Sequence, residues 1–144
     1  LKWVLLGKYT GKTGGLDTLR TNSVIRATLY KALDEYPDYN ILMEGIICST
    51  IRSTYISLFT EVKQAYDIRV VVIGLTTPLQ TCLARIQSRN GGNPINEKLV
   101  SDKERMIHRG FPYFDEAGFK VVRIDTSKYS KDTMIAKFLR AYGG

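Results

Sequence analysis

The chain has little cysteine, a single histidine and no long apolar run, and each shortage closes off a class of function. Its two cysteines, Cys48 and Cys82, form no CxxC pair, and His108 has no partner at ligand spacing. A structural metal site is therefore not expected. Cys48 follows a predicted strand and Cys82 lies on the apolar face of a predicted helix, so both read as free thiols in a reducing compartment. No apolar stretch approaches the roughly 20 residues that span a bilayer, and no membrane partner is expected. The opening Leu1-Lys2-Trp3-Val4 has no methionine and none of the charged and apolar regions of a signal peptide. A fragment, a processed product or the ordered part of a longer chain is the expectation. There is no internal repeat, no low-complexity stretch and no NKxD motif, and the last absence weighs against a GTPase-like switch.

What is present is ordinary globular material. A length of 144 residues fits one domain around one core. Apolar residues make up 44% and charged residues 24%, which excludes a disordered chain. The net charge of +7 favours polyanionic partners such as nucleotides or DNA. Four apolar runs read as strands: residues 2–6, 41–44, 69–75 and 120–124. Val70-Val71-Val72-Ile73 is β-branched without alternation, the pattern of a strand covered on both faces. Leu79, Cys82, Leu83 and Ile86 recur at helical spacing, as do Met134, Ile135, Phe138, Leu139 and Tyr142. Less regular helices are expected over residues 23–33 and 51–66. Strands alternating with helices predict an α/β fold, a three-layer parallel sheet with flanking helices, in a single domain over 1–144. The segment Asn90-Gly91-Gly92-Asn93-Pro94 reads as a flexible excursion between two helices.

The first strand runs into Gly7-Lys8-Tyr9-Thr10-Gly11-Lys12-Thr13, which invites comparison with the Walker A loop GxxxxGK[ST]. In that loop Gly11, Lys12 and Thr13 would meet the phosphates of ATP and its Mg²⁺. Two features oppose it. The glycines are three residues apart rather than four, so Leu6 takes the first glycine position. Gly14-Gly15 then follows where a helix should open, and glycine is a poor helix former. The other reading is a substrate loop. There Gly14 and Gly15 permit close approach and positive φ, Asp17 accepts hydrogen bonds and Tyr9 offers a stacking face. Lys12 is a phosphate contact under either reading. A plain helix entry, with Asp17 or Thr18 as N-cap, is the non-functional alternative.

Leu6-Gly7-Lys8-Tyr9, with Gly14-Gly15-Leu16-Asp17-Thr18-Leu19, resembles the "LGxY…GGxDT" segment of a phage P-loop kinase family. That family includes thymidylate-kinase-like and hydroxymethyluracil DNA kinase-like members. Ile41-Leu42-Met43-Glu44-Gly45 resembles its "VLFEG" strand. The run from Thr76 to Ile86 is similar to its "TTPLExCLERI" junction. The matches come in the family's order and cover most of the chain. The resemblance implies an ATP- and Mg²⁺-dependent phosphotransferase acting on a nucleotide, a nucleoside or a hydroxymethylated base in DNA. It also implies a Walker A strand upstream of the "LGxY" segment, which this sequence lacks, and a cytoplasmic location in a phage-infected or bacterial cell.

The remaining candidates follow from that chemistry. Glu44, at the end of a strand, can hold Mg²⁺ through water or take the proton of the attacking hydroxyl; pairing with a nearby arginine is the structural alternative. Arg52 can orient substrate, or it can be a solvated helix residue. Arg85 and Arg89, four apart and away from the apolar stripe, flank a lid-like insertion around 89–109 that also contains Lys98, Lys103, Arg105 and Arg109. Guanidinium forks suit a transferring phosphate, although a basic solvated face would look the same. Asp125, with Thr126 and Ser127, follows the last strand and would line the adenine pocket, while Ser130 is a candidate helix cap. The competing function is a non-catalytic nucleic-acid-binding domain derived from a kinase, with salt-dependent DNA binding and no ATP affinity.

Overall fold

A computed structural model describes residues 1–11 and 13–143. It is a mixed helix–strand structure with parallel strand pairs, the α/β class expected from the sequence. The chain divides into two compact units, Leu1–Ile68 and a second that starts at Arg69.

In the first unit, β1 (Trp3–Leu5) lies parallel to β2 (Asn40–Leu42), with Val4 opposite Ile41. Leu6 N–H extends the ladder by donating to Leu42 O at 3.0 Å. The crossover is α1 (Asn22–Glu35), opened by Thr21, whose hydroxyl accepts from Val24 N–H. This cap satisfies one of the free donors of the first turn. It also displaces the expected cap at Asp17 or Thr18, because those residues belong to a separate 3-10 turn, Gly15–Thr18. Ile25, Leu29, Ala32 and Leu33 form the buried face of α1. A one-turn helix, α2 (Ile47–Thr50), breaks at Ile51 before α3 (Arg52–Tyr66) begins. Asp67, in the left-handed region at φ 50°, ends α3. Tyr55, Leu58 and Val62 of α3 join the α1 face, Leu6 and Leu16 in one core, with Val4, Ile41 and Met43 packed against it. Cys48, on α2, is a free thiol pushed up to about 12 by burial.

In the second unit, β3 (Val71–Leu75) lies parallel to β4 (Lys120–Ile124), with Ile73 opposite Val122. The expected strand at 120–124 has the observed bounds, whereas β3 starts two residues later than its apolar run. β3 is also less covered than its β-branched sequence implies. Val71, Val72 and Ile73 are half-buried and Leu75 is 60% exposed, for β3 has one strand partner among the described residues. Three helices complete the unit: α4 (Leu79–Arg89), α5 (Glu97–Glu116) and α6 (Lys131–Gly143). Asn96 caps α5 by accepting from Leu99 N–H at 3.0 Å. The C-terminal half of α5 buries Phe111 and Phe114, and the Phe111 ring fills the space where a side chain at Gly74 would stand. Carbonyls in the last turn of α6 are met by cations: Lys120 donates to Ala141 O at 2.9 Å, and Arg69 to Tyr142 O.

The segment after α4 contains a turn braced by a reciprocal pair of side-chain hydrogen bonds. Asn90 Nδ2 donates to Asn93 O at 3.0 Å, and Asn93 Nδ2 donates back to Asn90 O at 2.8 Å. Among the described residues no helix is long and apolar enough to cross a membrane.

Candidate active site

The glycine-rich turn of the first unit brings together residues far apart in sequence. Gly7 has φ +104°, and a Cβ there would run into Gly15 O. Beside it, Thr18 acts as a clasp. Its hydroxyl accepts from Lys8 N–H at 2.8 Å and donates to Gly15 O at 2.8 Å. The chain leaving β1 is thus stitched to the 3-10 turn. Leu16 N–H donates to Glu44 O at 2.9 Å, which ties the same turn to the segment just past β2. Glu44 therefore lies two residues beyond the strand end, at the carboxyl side of a parallel pair where α/β folds bind ligands.

Gly14 and Gly15 each face a different partner. A Cβ on Gly14 would sit 3.1 Å from Tyr9 Cδ1, and one on Gly15 would sit 2.5 Å from Glu44 Cγ. Gly15 also has φ +64°, so both its backbone and its surroundings require glycine. The Tyr9 phenol is raised above its ordinary value, first by burial and then by the charge of Glu44 and a hydrogen bond to it. The sequence candidates Tyr9, Gly14, Gly15 and Glu44 thus form one cluster. Asp17 stands exposed on the adjoining turn, and Arg52, the first residue of α3, is half-buried.

The Gly11-Lys12-Thr13 triplet has a different setting. Lys12 lies outside the described residues. Gly11 and Thr13 are exposed, and a Cβ on Gly11 would meet nothing closer than Thr13 O at 3.8 Å. The first α-helix does not open until Asn22, so no helix N-terminus follows Thr13 as the Walker arrangement requires.

The second unit gathers a further set at the carboxyl ends of β3 and β4. Arg85 donates to Thr126 Oγ1 at 2.7 Å and to Thr126 O at 3.1 Å. Thr126 and Thr77 are buried and share a hydrogen bond, and Cys82 Sγ points to Thr77 O. Two of the five guanidinium donors of Arg85 are thereby engaged. Arg89 ends α4 and is exposed, a favourable place for a cation on the helix dipole. Asp125 is occupied locally. Its Oδ1 accepts from Ser127 Oγ at 2.6 Å and Ser127 N–H at 2.9 Å, which holds its carboxyl below the usual range, with Lys128 and Arg85 adding to the effect. Ser130 caps α6 by accepting from Thr133 N–H. On α5, Lys98 and Arg105 both pair with Asp102.

Sequence reasoning missed the clasp at Thr18 and the Thr77–Thr126–Arg85 network. A hydroxyl that bridges the backbone of Lys8 and Gly15 leaves no periodic trace. The Thr-Thr-Pro string was visible only as part of a resemblance. Among the described residues, no group of three His, Cys, Asp or Glu side chains could hold a metal ion.

The family model for 5-hmdU DNA kinase matches residues 2–131. Over 107 residues the chain is 38% identical to 5-hmdU DNA kinase 1 of Salmonella phage ViI, covering 73% of this chain and 47% of that protein. The 5-hmdU DNA kinase of Bacillus phage SP10 is 38% identical over 120 residues, 81% of this chain and 18% of that one. The 5-hmdU DNA kinase of Pseudomonas phage M6 is 37% identical over 111 residues, 73% of this chain and 56% of its own length. The chain thus spans from under a fifth to just over half of these relatives. No solved structure matches it.

Proposed function

The chain belongs to the 5-hmdU DNA kinase family, and from that premise we propose that it is the acceptor-side part of a kinase that phosphorylates the hydroxymethyl group of a modified base in DNA. The donor is ATP. The observation that supports this most directly is Glu44, held just beyond the end of β2 by Leu16 N–H and packed against Gly15. The acceptor oxygen attacks the γ-phosphorus, the bond to the departing ADP oxygen breaks, and the hydroxyl proton passes to a Glu44 carboxylate oxygen. Mg²⁺, bound with ATP, would neutralise charge on the phosphates, and Glu44 is the side chain that would face it through water.

The other candidates divide by unit. Around Glu44, the backbone of Gly14 and Gly15 admits the base closely, Asp17 and Arg52 orient the nucleotide, and Lys12 contacts a phosphate. In the second unit, Arg89 and the free donors of Arg85 bind phosphate oxygens, and the turn at Asp125 borders the adenine. The insertion around 89–109 serves as a lid. The phosphate-cradling loop belongs to a strand other than β1 to β4. In support, β2 and β3 each pair with one strand only among the described residues, whereas parallel sheets are stable when extended and covered. With that strand, the whole is a three-layer P-loop kinase domain working in the cytoplasm of an infected cell.

Transfer of γ-phosphate from ATP, with Mg²⁺, to DNA carrying hydroxymethyluracil tests the proposal, using this chain and a version extended to the length of its relatives. Transfer is expected in the extended form and to fall at least about 100-fold in Glu44→Gln. Salt-dependent DNA binding without transfer in either form would instead favour a nucleic-acid-binding domain, which the +7 charge also suits.

A further inference from the structure

Arg85 is an exposed residue of α4, yet its guanidinium does not swing freely. Nη1 donates to Thr126 Oγ1 at 2.7 Å and Nη2 to Thr126 O at 3.1 Å, just beyond the end of β4. Both acceptors are uncharged. Among the described residues no carboxylate lies within ion-pair distance of Arg85. Asp125, next to the anchor in sequence, is turned to other partners. Its Oδ1 accepts from Ser127 N–H at 2.9 Å and from Ser127 Oγ at 2.6 Å, and its Oδ2 faces Lys128 Nζ at 3.8 Å. The anchor is itself fixed, since Thr126 is buried and shares a hydrogen bond with the buried Thr77 hydroxyl. An arginine that served only as a strap would gain most from a carboxylate, whose paired oxygens match its fork. Here the cation is held in place and its charge is not neutralised.

We propose that Thr126 is a positioning residue that holds the Arg85 guanidinium, with its charge uncompensated, for a phosphate oxygen of the nucleotide donor. The inference rests on the role given to Arg85 above. Of the five guanidinium N–H donors, Thr126 takes two and three remain. They lie in one plane, whose orientation the fork to Thr126 sets. A long side chain loses rotamer freedom when it binds a phosphate, and one already held in its bound position avoids most of that cost. Ser127 belongs to the same device, because by holding Asp125 it keeps that carboxylate from closing on Arg85.

Calorimetric titration with ATP and Mg²⁺, without DNA, tests this in the protein extended to the length of its relatives. Arg85→Ala is expected to weaken ATP binding at least about tenfold, the worth of a hydrogen bond to a charged group. Thr126→Val should weaken it about fivefold through lost preorganisation, whereas Thr126→Ser keeps the hydroxyl and should bind within about twofold of the unmodified protein. Adding Thr126→Val to Arg85→Ala should weaken binding no further, because Thr126 acts only through the arginine. A purely structural Thr126 gives a different result: Thr126→Val lowers the melting temperature and leaves ATP affinity intact. That result, or additive losses in the double variant, overturns the positioning role. Unaltered binding in Arg85→Ala overturns the phosphate contact and the inference with it, while transfer to hydroxymethyluracil DNA by the same variant shows separately that the kinase reading stands. No ATP binding by the unmodified protein overturns both. A second readout needs no nucleotide. With nitrogen-labelled arginines and the Arg85 signals assigned by their loss in Arg85→Ala, the Nη hydrogens should give separate signals, since the fork blocks rotation about the Cζ–Nη bonds. Thr126→Val should merge them, and signals already merged in the unmodified protein would overturn the tether.

Discussion

Arg85 grips Thr126 twice, through the hydroxyl at 2.7 Å and the carbonyl at 3.1 Å, and so straps α4 to the end of β4. Thr126 also shares a hydrogen bond with Thr77, at the end of β3. The fork needs a planar guanidinium, and an ammonium cannot reproduce it. Arg85→Lys is expected to lower stability by about 1–2 kcal/mol, and Thr126→Val by a similar amount because it strands both Arg85 and the buried Thr77 hydroxyl. Urea unfolding followed by circular dichroism measures both. The double variant should cost less than the sum, since the two remove the same bonds.

Gly15 is expected to tolerate no side chain. Its φ of +64° strains an L residue, and the Cβ would press into Glu44. Gly15→Ala should therefore cost about 2–3 kcal/mol and displace the Glu44 side chain. Gly11→Ala, where a Cβ meets only Thr13 O at a comfortable 3.8 Å, should change the melting temperature little. A pair of thermal unfolding curves distinguishes the two.

Gly74→Ala tests the core of the second unit. The Phe111 ring occupies the place the methyl would take, and overpacking of this kind costs about 1–3 kcal/mol. The same ring lies beneath the Arg123 guanidinium, 5.0 Å from its centroid. A companion Phe111→Leu substitution should restore part of the loss, which a chemical denaturation series would detect.

Alkaline pH should weaken the first unit. Cys48 is pushed up from 9.0 to about 12 by burial, Tyr55 from 10.0 to about 12 mainly by burial, and Tyr66 from 10.0 to about 12 by its hydrogen bond to Asp34. In each case folding favours the protonated form. The contribution is complete below the unfolded value and is lost as pH rises through the folded one. Stability should fall across about pH 9 to 12 by this linkage, and Cys48→Ala should delay the onset of the decline. Melting temperatures across that range provide the measurement.

Periodicity made the helices legible, because α4 and α6 each carry apolar residues at helical spacing, although α4 buries none of them fully and Ile135 and Leu139 of α6 stand exposed. The strand at 120–124 was equally clear from its composition. β3 was legible as a strand but not in its coverage, since a β-branched run records what a segment prefers and not how many neighbours it has. The cluster of Tyr9, Gly14, Gly15 and Glu44 could be named residue by residue, yet nothing in the sequence said that Gly15 packs against Glu44. That approach depends on a parallel pairing of β1 with β2 and on a hydroxyl clasp at Thr18. Arg85 shows the reverse case: a charged residue off the apolar stripe reads as a phosphate contact or a solvated cation, and its tether to Thr126 is invisible because that partner lies forty-one positions away.

The clasp at Thr18 ties the exit of β1 to the 3-10 turn through one hydroxyl, which accepts from Lys8 N–H and donates to Gly15 O. Both partners are backbone groups, so the tie does not depend on the side chain at position 8. Only the residue at position 18 is committed to it, and a serine there would keep the hydroxyl where an alanine would release both strands of the turn.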